Sequence, residues 1–321
     1  MAQLRDVINN GLLKLPTTAN TSSAGNVWFD ESTQIAKYSW CGGSWSAGGA
    51  LITARFGLAG AGTQNDGLAF GGNFPAVSCT EEYNGSSWSV GGALSTARYR
   101  LAGAGTQNAG LAFGGLFGPS NLSCTEEYNG SSWSAGGALI TARYGLAGAG
   151  TQNDGLAFGG FVSPSSNACT EEYNGSTNIW SSGGALITAR CGLGGAGTQN
   201  AGLAFGGVTT PSTTRSCTEE YNGTSWSTGG NLITPMFNLG GAGTQNAGLA
   251  FGGGSPSVSC TEEYNGTSWT SGGALITTRF LLVGTGTQTS ALAFGGANPS
   301  AVSSTEEYNY VIKQSNLGST R

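Results

Sequence analysis

Along this chain, short apolar stretches of three to five residues alternate with polar breaks flanked by glycine, and the alternation recurs. One unit runs Leu101-Ala102-Gly103-Ala104-Gly105, breaks at Asn108-Ala109-Gly110, resumes as Leu111-Ala112-Phe113 and stops at Gly114-Gly115. A third stretch, Thr125-Glu126-Glu127-Tyr128, meets Asn129-Gly130, and a fourth centres on Trp133 and closes at Gly136-Gly137. None reaches helical length, and Asn-Gly between apolar runs is a strong hairpin signal. The pattern predicts four short antiparallel strands joined by tight turns. Phe-Gly-Gly blocks end at Gly72, Gly115, Gly160, Gly207, Gly253 and Gly296, a period of 43, 45, 47, 46 and 43 residues. A helix-free period of that size means a propeller or solenoid, and four strands per period make a propeller blade.

The predicted fold is therefore all-β: a six-bladed β-propeller with four-stranded blades. Its first strands are built of Gly and Ala, which suits the crowded axis, while Phe, Tyr and Trp supply bulk further out. The Trp segment is shifted against the other repeats. Trp45 precedes the first inner strand and no Trp follows Tyr308. The last blade should thus borrow its fourth strand from the segment around Trp45, closing the ring and leaving no open edge. The expected organisation is an anchor segment and linker at 1–24, the propeller at 25–310 with a preceding hairpin at 25–43, and a tail at 311–321. Within 1–24, Leu4, Val7, Ile8 and Leu12 keep the spacing of one helical face, which Asn9, Asn10 and Gly11 weaken.

Composition narrows the partners. With 17 acidic against 12 basic residues the chain carries a net charge of −5, which argues against nucleic acid or an anionic membrane surface. No apolar run is long enough to cross a bilayer, and the start lacks the basic and apolar regions of a secretory signal. Cys79, Cys124, Cys169, Cys217 and Cys260 hold one repeat position, too far apart round a ring for disulfides. They are expected as small buried thiols in a chain made in a reducing cytoplasm.

Twelve of the acids form six Glu-Glu pairs, one per blade. Neighbouring strand residues face opposite ways, so a pair cannot serve one substrate as acid and base. The expectation is structural: Glu81, Glu126, Glu171, Glu219, Glu262 and Glu306 buried against Arg55, Arg98, Arg143, Arg190 and Arg279, the second Glu solvated. In the fifth blade Pro235-Met236 stands where the others have the Arg. The absence of histidine removes His-based triads and most zinc sites. No catalytic residue, metal or cofactor is expected.

An Arg opening the unit, an apolar strand ending in Gly-Gly, and a Tyr and a Trp set apart resemble the kelch repeat. Residues 25–45, from Gly25-Asn26-Val27-Trp28-Phe29-Asp30 to Gly43-Ser44-Trp45, resemble a hairpin motif of bacteriophage tail-fibre and other virion proteins. That resemblance implies a non-enzymatic virion protein, tail-fibre or capsid-associated, made in the host cytoplasm. Its partners would be other virion proteins through the N-terminal segment, copies of itself on the particle, and a host-surface glycan or receptor. The competing reading is a cellular kelch-type carbohydrate-binding protein, or a carbohydrate-active enzyme using Glu.

Length varies almost solely between Gly-Gly and Thr-Glu-Glu, with seven, nine, nine, ten, seven and eight residues. Such insertions gather on the binding face of repeat proteins. The candidate binding residues are Phe74, Leu116, Phe117, Phe161, Val162, Thr209, Thr210, Arg215 and Asn298.

Overall fold

A computed structural model describes residues 27–30, 35–73, 75–210, 212–254 and 256–316; Phe74 and the segment 1–24 lie outside the described residues. The chain forms two compact units, the larger being Trp45–Asn309. In the smaller, the hairpin pairs Val27 with Tyr38 and Asp30 with Ile35 in antiparallel register.

The larger unit is a six-bladed propeller. Blade 1 orders its strands Ala59–Gly62, Gly67–Phe70, Thr80–Tyr83 and Trp88–Gly91 from inside outwards, and blades 2 to 5 repeat that order. Blade 6 takes Val283–Thr287, Ser290–Phe294 and Thr305–Asn316, and its outer strand is Ile35–Ala47. The ring is thus closed by a strand from the N-terminal side. Gly48 donates its N–H to the Thr305 carbonyl at 2.9 Å, and the Trp45 ring sits 4.9 Å from that of Tyr308.

The apolar core is divided into wedges between blades. Ala61, Leu68 and Phe70 of blade 1 cluster with Leu101, Ala112, Tyr128 and Trp133 of blade 2. Leu292 and Phe294 of blade 6 cluster with Leu58, Tyr83 and Trp88 of blade 1. A fully buried side chain of this kind contributes about 1.5–3 kcal/mol. The first strands explain their own composition. A Cβ on Gly103 would stand 2.6 Å from Phe70 Cζ and 2.7 Å from the Gly60 carbonyl oxygen, so a larger residue would wedge the blades apart.

Candidate recognition face

The charged residues come together between the blades. Arg55 meets Glu81 at 2.9 Å, Arg98 meets Glu126 at 3.0 Å, and Arg279 meets Glu306 at 3.0 Å. Arg143 pairs with Glu171 and Arg190 with Glu219 in the same way. All five guanidinium groups are fully buried. Each also holds backbone carbonyls, as Arg55 Nη1 does with Gly71 and Cys79 at 3.0 and 2.7 Å. The other oxygen of the carboxylate accepts a backbone N–H of the connection entering the blade, Ile52 to Glu81 at 2.7 Å and Ser95 to Glu126 at 2.6 Å. In blade 5 the carboxylate of Glu262 accepts the N–H groups of Ile233 and Thr234 at 2.7 and 2.8 Å. Met236 fills the arginine's place there and packs against Cys260.

Two expectations need correction. The second Glu of each pair is half-buried and bonded rather than left to solvent. Its carboxylate accepts the tyrosine hydroxyl of the next blade: Tyr128 to Glu82 at 2.5 Å, Tyr173 to Glu127, Tyr221 to Glu172 and Tyr264 to Glu220 at 2.6 Å, and Tyr308 to Glu263. Tyr83 to Glu307, at 2.6 Å, completes the circle. Burial, then the bond to the carboxylate, pushes Tyr83, Tyr128, Tyr221 and Tyr264 up to about 12 and raises Tyr173 as well. The repeated cysteines are free but only half-buried, because they sit where the loops end, just before the third strands; Arg55 Nη1 approaches Cys79 Sγ at 3.2 Å.

Each connection from a fourth strand to the next first strand runs beside a second-to-third strand loop, as the bond from Leu94 N–H to the Ser78 carbonyl at 2.8 Å shows. Both kinds of segment therefore build one face. Phe117, on a two-residue strand paired with Ser120–Asn121, is 54% exposed. Leu116 is half-buried and exchanges backbone bonds with Tyr99 at 2.9 and 3.1 Å. Half-buried Phe161 stacks on Tyr144 with centroids 5.4 Å apart, next to half-buried Val162. Thr210 receives the N–H of Ser166 at 2.8 Å and so ties two loops together. Exposed Arg215 donates Nε–H to Thr209 Oγ1 at 3.2 Å, and exposed Asn298 reaches Thr278 at 3.0 Å. Exposed isoleucines, Ile52, Ile140, Ile187, Ile233 and Ile276, rim the same face.

At its centre lies a feature the sequence reading passed over. Gly57, Arg100, Gly145, Gly192, Asn238 and Leu281 occupy equivalent positions, all with φ between 52° and 61°. Arg100 N–H bonds the Gly57 carbonyl at 2.6 Å, Gly145 that of Arg100 at 2.8 Å, Gly192 that of Gly145 at 2.7 Å and Asn238 that of Gly192 at 2.6 Å. Leu281 then bonds Asn238 at 2.7 Å and Gly57 bonds Leu281 at 2.9 Å, closing a hoop of six peptide groups around the axis. The hoop demands the left-handed region, free to glycine but costing other residues on the order of 1–3 kcal/mol. Three blades accept that cost. A half-buried collar of Phe56, Tyr99, Tyr144, Cys191, Phe237 and Phe280 surrounds the hoop. The available signal was the pair of positions after the blade arginine, which vary inside an otherwise constant framework.

The hoop frames the mouth of an axial cavity of about 90 Å³, floored by Leu58, Leu101, Leu146, Leu193, Leu239 and Leu282. Burial raises the Tyr144 hydroxyl, and likewise the Cys191 thiol. Among the described residues no cluster of metal-ligating side chains occurs.

This architecture defines the class: a six-bladed β-propeller with one varied face. No family model matches the chain, and no curated protein matches it. Among solved structures it is similar to that of YjhT, with a TM-score of 0.71 over 84% of this chain and 100% of that one. At 14% identity the likeness concerns the fold alone.

Proposed function

We propose that this protein is a non-enzymatic structural and binding component of a bacteriophage particle, carrying a kelch-like propeller whose loop face recognises a host-surface glycan. One observation carries the binding part of this reading: the framework repeats nearly letter for letter, while side chains differ from blade to blade on the loop face and at its hub. Constancy suits the latches between blades, and variation suits a surface that reads a ligand. Both glutamates of each pair are engaged in those latches, which favours the binding reading over hydrolysis by Glu. The virion part rests on the resemblance of residues 25–45 to tail-fibre hairpins. Glycan-array binding of the purified full chain tests the recognition role. A face that retains surface saccharides of bacteria supports it, and an array blank at all saccharides overturns it.

A further inference from the structure

We infer that the mouth of the axial cavity is a subsite for the acidic group of a saccharide, a carboxylate or sulfate anchored by Arg100. The inference rests on the reading of the loop face as the glycan-binding face, and names the ligand chemistry of its centre.

Residues 45–309 contain seven arginines and no lysine. Five arginines are buried in ion pairs with the blade glutamates, which leaves Arg100 and Arg215, both on the loop face. Among the described residues no carboxylate lies within ion-pair reach of Arg100. The two aspartates of this unit, Asp66 and Asp154, sit on the turns of the opposite face. Among the described residues, Arg100 is thus a cation near the axis without a carboxylate partner.

The backbone at Arg100 does not favour arginine. Its φ of 52° favours glycine, which blades 1, 3 and 4 use in the same hoop. Its side chain passes over Gly57, and its guanidinium lies 6.0 Å from the centroid of the Tyr144 ring. A flat, always-charged fork beside an aromatic face is suited to bidentate capture of an oxyanion. Asn238, three blades on and hence across the axis, adds a second polar side chain at the rim. The cavity admits one small group, beside a half-buried aromatic collar.

Calorimetric titration of the full-length chain with D-glucuronate, with D-glucose as its neutral counterpart and with sodium sulfate, tests this. The parent protein is expected to bind glucuronate and not glucose. Arg100→Gly is expected to weaken glucuronate at least tenfold while leaving the melting temperature unchanged or higher, because glycine relieves the left-handed strain. Arg100→Lys should restore part of the binding. If sulfate displaces glucuronate, the site reads the oxyanion itself; if sulfate leaves glucuronate in place, it reads the carboxylate of the sugar. Equal glucuronate binding by parent and Arg100→Gly, or no binding by the parent, overturns the inference. Failure of Phe117→Ala to affect saccharide capture, with glucuronate binding intact, would instead count against the outer loop face and leave the axial subsite standing.

Discussion

The hydroxyl of Tyr83, in the first blade, donates to the carboxylate of Glu307, in the last, at 2.6 Å. This is the same bond that joins Tyr128 to Glu82 between blades 1 and 2 at 2.5 Å. The seam where the chain's two ends meet is thus latched like the continuous junctions. A hydrogen bond to a charged group contributes about 1.5–3 kcal/mol. Tyr83→Phe and Tyr128→Phe are expected to lower unfolding free energy by similar amounts in that range, read from denaturant midpoints at constant m. A loss for Tyr128→Phe with none for Tyr83→Phe would mean the seam is open.

The same tyrosines set an alkaline limit. Their folded pKa values of about 12 lie above the ordinary 10, so the folded state favours the protonated phenol. Stability from this source is complete below pH 10 and lost as pH rises from 10 through 12. Absorbance titration of the phenolates, followed beside circular dichroism, should show the latch tyrosines ionising late and together with unfolding. Complete ionisation near pH 10 in a folded protein would show that the hydroxyls are not held.

Trp45 packs its indole 4.8 Å from the Phe251 ring and donates Nε1–H to Thr261 Oγ1 at 2.9 Å. Trp133 does the same against Phe70 and Thr80, at 4.9 and 2.9 Å. Removing a buried Trp side chain costs about 3–5 kcal/mol. Trp45→Ala should cost as much as Trp133→Ala in thermal and chemical unfolding, although only Trp45 lies on the closing strand. A negligible cost at Trp45 would show that the closing strand contributes nothing to the ring.

Blade 5 supplies a control for the buried ion pairs. Arg143→Ala leaves Glu171 buried without its guanidinium and opens a cavity, an expected loss of about 3–5 kcal/mol. Arg143→Met recreates the arrangement of Met236 over Glu262, where backbone N–H groups alone hold the carboxylate. It should cost clearly less than Arg143→Ala by equilibrium unfolding. Equal losses would mean that blade 5 has compensations beyond this one side chain.

The strand pattern was legible because every blade spells it in the same register, and ring closure was legible because Trp45 stands at the same ten-residue distance from Arg55 as Trp133 from Arg143. The opposition of arginine and first glutamate could be read from burial logic. The tyrosine latch could not. Tyr83 and Glu82 adjoin in sequence, yet each bonds a different neighbouring blade, and strand alternation says which way a side chain faces but not what the next blade presents. The hoop escaped for another reason: Arg100 and Leu281 carry no sequence mark of a left-handed backbone, unlike the glycines that share their role.

The last expectation separates binding from folding on the loop face. Phe117 is 54% exposed and makes no ring contact among the described residues, so Phe117→Ala should leave the melting temperature unchanged. Phe161 stacks on Tyr144, and Phe161→Ala should therefore cost some stability as well as binding. Among the described residues the Arg215 side chain bonds Thr209 alone, and Arg215→Ala should act on binding alone. Few anchors carry most of an interface's energy, so each of the three should weaken capture of bacterial cells or of the retained saccharide by several-fold or more. On the opposite face, Asn129 holds the N–H groups of Ser131 and Ser132 at 3.0 and 2.9 Å, a turn that Asn84, Asn222 and Asn265 repeat with only a Ser-to-Thr exchange, while blade 3 lengthens it by Thr177 to Ile179. Changes on the exposed surface of that turn should not affect binding. If all three loop variants bind like the parent while turn variants that stay folded abolish binding, the opposite face is the one that recognises the ligand.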